Sequence, residues 1–343
     1  MSDKSSPHSA FTQLPTVDIG GLFSDDPLCR LAVANELSRA ARDVGFLYIT
    51  GHGVSPALQM RLIEQAKAYF AQPLDDKMRF YIGQSENHSG YVPEGEERFG
   101  DGVADCKEAY DINYDYRAEL GRRPMLGPTQ WPDAPSFKDD VQAYYQAALH
   151  VADALFRGFA LALNLEEDAL SRMVNHPPSQ LRMIHYPYNE NVVHDRPGIG
   201  AHTDYECFTI LMPTAPGLEV LNGAGEWIDV PLKDNAFVIN IGDMLEVLSN
   251  GQFVATSHRV RKVQEERYSF PLFCACDYDA EISPIASLPK GREDRDYGSL
   301  KCGDHLYAQT IQTFSYLKQR LASGEICLPE NARSVDSFGY HGQ

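Results

Sequence analysis

Leu218-Glu219-Val220-Leu221-Asn222-Gly223-Ala224-Gly225-Glu226-Trp227-Ile228-Asp229-Val230 decides the fold. Two short apolar runs flank an Asn-Gly-Ala-Gly segment, the composition of a β-hairpin. The Gly-x-Gly inside it reads as that turn and not as a nucleotide loop. Runs of the same kind lie on both sides: Leu181–Tyr186, Phe208–Thr214, Ala236–Ile241, His258–Val263 and Tyr268–Cys274. Many short strands punctuated by Gly and Pro imply a sandwich or jelly roll.

Upstream the texture differs. Leu14–Ile19 and Phe46–Ile49 read as strands. Leu31 to Val44 has helical spacing, with Gly45 placed as its C-cap. Ser55-Pro56 opens a second helix that runs to about Phe70, with an N-cap followed by Pro at the first position. Residues 84–108 lack periodicity and read as a long loop. Ser136 and Asp139 form a candidate capping box for a long helix from Phe137 to about Leu163. Glu166–Val174 reads as a shorter helix, and a final helix spans about Asp304 to Leu321. The fold class is therefore mainly β with flanking helices.

The 343 residues include 48 acidic and 30 basic side chains, a net charge of −18. That balance disfavours nucleic acid and anionic membranes as partners. Seven scattered cysteines without a Cys-x-x-Cys fit reduced thiols. Within Cys274-Ala275-Cys276 the two thiols share a strand face and read as small buried hydrophobes. Met1–His8 lacks the apolar segment of a signal peptide, and no apolar run reaches the roughly 20 residues that span a bilayer. A cytoplasmic protein is expected.

His202-Thr203-Asp204 is followed by His258 and by Arg267-Tyr268-Ser269. On a strand, residues two apart face one way, so His202 and Asp204 can share a metal. Two imidazoles and a carboxylate leave open positions on Fe(II) for oxygen chemistry. A lone His-x-Asp is more often a surface turn; the downstream His258 and Arg-x-Ser change that balance. Arg267 and Ser269 share one strand face, and the Arg fork pairs with a carboxylate. Asp243 reads as closing a turn, His185 as structural and His194 as solvated.

Ordered motifs run through nearly the whole chain. They include Leu14-Pro15-Thr16-Val17-Asp18, Ala41-Arg42-Asp43-Val44-Gly45-Phe46, Gly51-His52-Gly53-Val54 and His202-Thr203-Asp204. Asn240-Ile241-Gly242-Asp243-Met244, Ser257-His258-Arg259-Val260 and Glu266-Arg267-Tyr268-Ser269 complete the series. With these the chain resembles the isopenicillin N synthase-like family of Fe(II)/2-oxoglutarate-dependent oxygenases.

The resemblance implies a double-stranded β-helix (jelly roll) core with an N-terminal α+β region and a C-terminal helix. The implied division is an N-terminal α+β region over 1–120, a helical spine over 121–178, the β-helix core over 179–285, and a tail and helix over 286–343. It implies iron on His202, Asp204 and His258, with Arg267, Ser269 and Tyr186 holding 2-oxoglutarate. Cofactors are then Fe(II), 2-oxoglutarate and O2, with ascorbate as a reductant. The implied reaction is hydroxylation, desaturation or ring closure of a small molecule, with release of succinate and CO2. Substrate contacts are sought at Tyr91, Glu94, Tyr110, Tyr205, Phe208 and Phe273. A monomer or weak homo-oligomer is expected.

Two other readings stay open. Tyr186-Pro187-Tyr188 resembles isopenicillin N synthase itself, an Fe(II) oxidase that needs no 2-oxoglutarate, in which Arg-x-Ser grips the substrate. A non-catalytic metal-binding β-helix is the other.

Overall fold

The computed structural model describes residues 10–97, 105–114, 123–188, 197–292 and 295–329. His194 and the first eight residues lie outside these.

Strand β1 (Thr16–Asp18) leads to helix α1 (Pro27–Asp43), strand β2 (Phe46–Thr50), helix α2 (Pro56–Phe70) and a short α3 (Leu74–Met78). Strands β3 (Gly90–Val92) and β4 (Glu108–Ile112) precede the 26-residue helix α4 (Phe137–Ala162). Then come β5 (Gln180–Tyr186), β6 (Ile199–His202), β7 (Phe208–Pro213), β8 (Leu218–Leu221), β9 (Trp227–Asp229) and β10 (Phe237–Ile241). Helix α5 (Asp243–Leu248), β11 (His258–Val260), β12 (Arg267–Cys274), β13 (Glu281–Ile282) and β14 (Leu300–Lys301) follow, then α6 (Cys302–Thr313) and α7 (Ser315–Ser323).

The strands form an eight-stranded sheet, ordered β1-β2-β10-β7-β12-β5-β4-β3, and a four-stranded sheet, β6-β11-β8-β9. The β8–β9 hairpin turns through Asn222–Glu226, as its sequence requires. Inner faces meet across the gap: Tyr186 and Ile184 of the large sheet cluster with Ile199 and Val260 of the small one, and Leu211 and Val238 with Leu218 and Val220. This is the double-stranded β-helix, a distorted jelly roll. Helices α1, α2 and α4 cover the outer face of the large sheet. The apolar stripe of α4, including Val141, Tyr144, Tyr145, Ala148, Val151, Leu155 and Phe159, is buried in the main core.

Local chemistry explains most boundaries. Asp26 and Ser55 accept from the second and third backbone N–H groups of their helices, and Pro occupies the first position in both. Gly45 has φ +72°, and a Cβ there would lie 2.2 Å from the Val254 carbonyl oxygen, so the turn from α1 into β2 needs glycine.

Four expectations are corrected. Ser136 adopts a left-handed φ of 61° and makes no side-chain cap, so there is no capping box. Instead Asp140 ties α4 to α2 by accepting from Arg61 and Gln65. Glu166–Val174 holds only turns and a single 3-10 turn at Ser171–Met173, with Arg172 paired to Glu166 and Asp168. The C-terminal helix breaks at Phe314, whose backbone is extended. The 84–108 segment is not all loop: β3 pairs with β4 at the edge of the large sheet.

Candidate metal centre and its two chambers

His202 ends β6 and His258 begins β11; the two are cross-strand partners. Asp204 lies just past the end of β6, not on it, and its carbonyl accepts from Asp243 N at 2.8 Å at the start of α5. Gly198 lets β6 approach the large sheet, since a Cβ there would sit 3.0 Å from the Tyr186 ring. The result brings one ligand atom from each of His202, Asp204 and His258 within 4.8 Å of the others.

Each side chain is oriented by a second contact. His202 Nδ1 faces the Gly200 carbonyl at 2.8 Å and His258 Nδ1 faces the Thr256 carbonyl at 3.3 Å. An N–H donated there leaves each Nε2 as the free lone pair. Both Nε2 atoms approach Asp204 Oδ1, at 3.5 and 3.6 Å. The other oxygen, Oδ2, accepts from Thr209 Oγ1 and from Asn240 Nδ2. Burial, with the neighbouring His202 second, pushes His258 down to about 4. Against the cost of burial, His258 and His202 hold the Asp204 carboxyl below the usual carboxylate range.

Two cavities meet at this centre. The inner one encloses about 460 Å3 and reaches from the three residues to Tyr186, Arg267 and Ser269. Arg267 is 1% exposed; its Nε donates to the Ala215 carbonyl and its guanidinium lies 4.7 Å over the Tyr186 ring. Arg267 Nη1 is buried with no hydrogen-bond partner. A buried donor left unpaired is costly, so the cavity is built for an acceptor. The three metal-site residues, the unpaired Arg267 Nη1 and Ser269 thus fit Fe(II) with a chelating dicarboxylate. The outer cavity encloses about 650 Å3 and adds His88, Glu97, Lys107, Arg182, Tyr205, Glu206 and Phe314 to the shared wall of His202, Asp204, Ile184, Ile199 and Phe273.

The sequence matches the non-haem dioxygenase N-terminal family (in morphine synthesis) over residues 14–134 and the 2OG-Fe(II) oxygenase superfamily over 177–275. It is 31% identical over 326 residues to the homoarginine-6-hydroxylase 2-ODD-C23.2 of Arabidopsis thaliana, covering 89% of this chain and 90% of that protein. The chain belongs to the 2OG-Fe(II) oxygenase superfamily. The oxygenase is also 29% identical over 328 residues to the 2-oxoglutarate-Fe(II) type oxidoreductase hxnY of Emericella nidulans, covering 91% and 94% of the two chains. Its fold matches the rice dioxygenase for auxin oxidation with a TM-score of 0.68 at 26% identity, over 92% and 97% of the two chains. The protein is accordingly a non-haem Fe(II)/2-oxoglutarate-dependent dioxygenase acting on a small molecule, with Fe(II), 2-oxoglutarate and O2 as its cofactor and co-substrates. The 2-oxoglutarate-independent alternative is not favoured. Among the described residues no helix is long and apolar enough to cross a membrane.

Of the aromatic residues picked from the sequence, the oxygenase places Tyr205 and Phe273 in the outer chamber wall. Tyr91, Tyr110 and Phe208 pack elsewhere: Tyr91 donates to Glu108, Tyr110 to the Gln130 carbonyl, and Phe208 lies against Phe156 and Phe159. Glu94 is exposed and lines neither chamber. His185 bridges Glu108 and Glu266 behind the sheet, and Cys274 and Cys276 are buried in the core. Residues not singled out from the sequence are Thr209 and Asn240 on Asp204, the buried Glu97, Lys107 and Arg182, and the half-buried Glu206. Arg182 grips both oxygens of Asp111 at 2.6 and 2.7 Å and Glu97 at 2.6 Å, and Lys107 pairs with the other Glu97 oxygen. Position beside the His-x-Asp motif was a signal for Glu206; nothing local marks the other three.

Proposed function

We propose that His202, Asp204 and His258 hold the iron, that Arg267 and Ser269 hold the distal carboxylate of 2-oxoglutarate beside Tyr186, and that the outer chamber takes the substrate for hydroxylation. The observation that carries this is the unpaired, buried Arg267 Nη1 in the same cavity as the three ligand side chains. The hydroxylase relatives favour hydroxylation over desaturation or ring closure. Bound iron, with 2-oxoglutarate and O2, supplies the oxidising power and leaves succinate and CO2.

The chain's own part is positional. Thr209 and Asn240 occupy one oxygen of Asp204, so the carboxylate presents the other to the metal. The Gly200 and Thr256 carbonyls fix the two imidazole rings. Arg267 offers a desolvated charge to the co-substrate and, set over the Tyr186 ring, is held in direction. Phe46, 5.2 Å from the His258 ring, and Leu211, Leu218 and Val260 keep the inner chamber apolar and exclude water.

Residues 179–285 are taken as the catalytic core, 1–120 as the N-terminal α+β region, 121–178 as the helical spine and 286–343 as the closing segment. A cytoplasmic monomer or weak homo-oligomer, recycled by ascorbate, is part of the same reading. The test is succinate formation from 2-oxoglutarate with Fe(II) and O2 across a small-molecule panel, with mass spectrometry for a product carrying one added oxygen. Succinate formation that survives removal of Arg267 would overturn the co-substrate assignment.

A further inference from the structure

The outer chamber contains one carboxyl group that no cation answers. Arg182 is used up by Asp111 and Glu97, and Lys107 by Glu97. Asp204 faces the two histidines. Glu206 also lines the chamber, two residues beyond Asp204, and among the described residues no Lys, Arg or His pairs with it. Its main chain is fixed, with the carbonyl accepting from Met244 N at 3.2 Å. Its side chain remains half-buried, open to the chamber.

A second group points the same way. Tyr205, the neighbouring wall residue, carries a buried hydroxyl with no partner. Buried polar atoms are ordinarily satisfied, so this hydroxyl has hydrogen-bonding capacity left for a ligand in the chamber. The rest of the wall, Phe273, Phe314, Met125 and Ile199, suits an apolar stem.

We propose that Glu206 is a specificity-determining residue that binds a protonated amine or guanidinium on the substrate, with Tyr205 completing the contact, so that a carbon next to the cationic group faces the metal centre. This rests on the reading of the outer chamber as the substrate site.

The test uses the anaerobic Fe(II)·2-oxoglutarate enzyme, titrated by calorimetry with L-arginine, agmatine and L-lysine, and with the neutral isostere L-citrulline. A cationic probe should bind and L-citrulline should bind at least about tenfold more weakly, the equivalent of losing one charge-assisted contact. Glu206→Gln, which is isosteric, should weaken the cationic probe by roughly 10- to 150-fold and abolish the discrimination, while Glu206→Asp restores part of it. The visible charge-transfer band of 2-oxoglutarate on the iron should be the same in wild type and Glu206→Gln. Equal binding of cation and isostere, no binding of any cationic probe, or an unchanged Glu206→Gln overturns the proposal. Absence of the band from wild type overturns instead the underlying assignment of the inner chamber.

Discussion

Asn240 and Thr209 are cross-strand partners in β10 and β7, and both side chains end on the same oxygen of Asp204. The ladder register of the large sheet thereby decides which carboxylate oxygen stays free to meet the proposed metal. A slip of one residue in either strand would turn that strand's side chain to the opposite face.

Asn240→Ala should therefore lower metal affinity without removing a ligand. The expected loss is roughly 10- to 100-fold, the usual effect of deleting a group that orients a ligand. Competition against a chelating dye measures it, and unchanged affinity would show that Thr209 alone suffices. His202→Ala or Asp204→Ala should abolish iron-dependent succinate formation.

Arg267→Met removes the guanidinium and fills its volume with apolar atoms. Affinity for 2-oxoglutarate should fall by roughly 10- to 150-fold, the range for a hydrogen bond to a charged group. Metal binding should stay at the wild-type level. Titration of the charge-transfer band gives the first quantity and iron stoichiometry the second.

Acid should destabilise the protein through Glu97. Against the cost of burial, Arg182 and Lys107 hold its carboxyl down to about 2, from an ordinary 4.5. Between those values the unfolded chain binds the extra proton. The contribution is thus fully present above 4.5 and is lost as pH falls toward 2. Urea midpoints at about pH 6 and about pH 3 should fall more steeply for wild type than for Glu97→Gln, which starts lower but changes less. Parallel slopes would assign the acid sensitivity elsewhere.

Phe159→Ala should cost about 3–5 kcal/mol, because the ring is fully buried between Phe208 and Phe253. Denaturant unfolding measures it. Metal binding should persist in the folded variant, since α4 supports the sheet from the face away from the site.

Much of this was legible along the chain. The strands from Leu181 to Cys274 announce themselves as short apolar runs between turn residues, and the candidate metal ligands follow from chemistry that few other residue sets supply. The three-residue β3 was hidden because Gly90 and its neighbours are strand only by pairing with β4. The break at Phe314 carries no Gly or Pro; tertiary contact imposes it, through Ser315 N on the Glu96 carbonyl. Aromatic residues gave no such guidance. Tyr91 and Tyr205 look alike in sequence, yet one packs under Glu108 and the other lines a chamber. The buried charges were unreadable for the same reason: Arg182 and Asp111 lie 71 residues apart and meet only in the folded sheet.

The break at Phe314 also makes the outer chamber a long-range construction. Glu97 bridges to Phe314, and Phe314 walls the outer chamber. One side of that chamber is thus closed by a segment from the N-terminal half of the chain meeting the junction of the last two helices. A chain shortened before Phe314 loses that wall and opens the chamber to water.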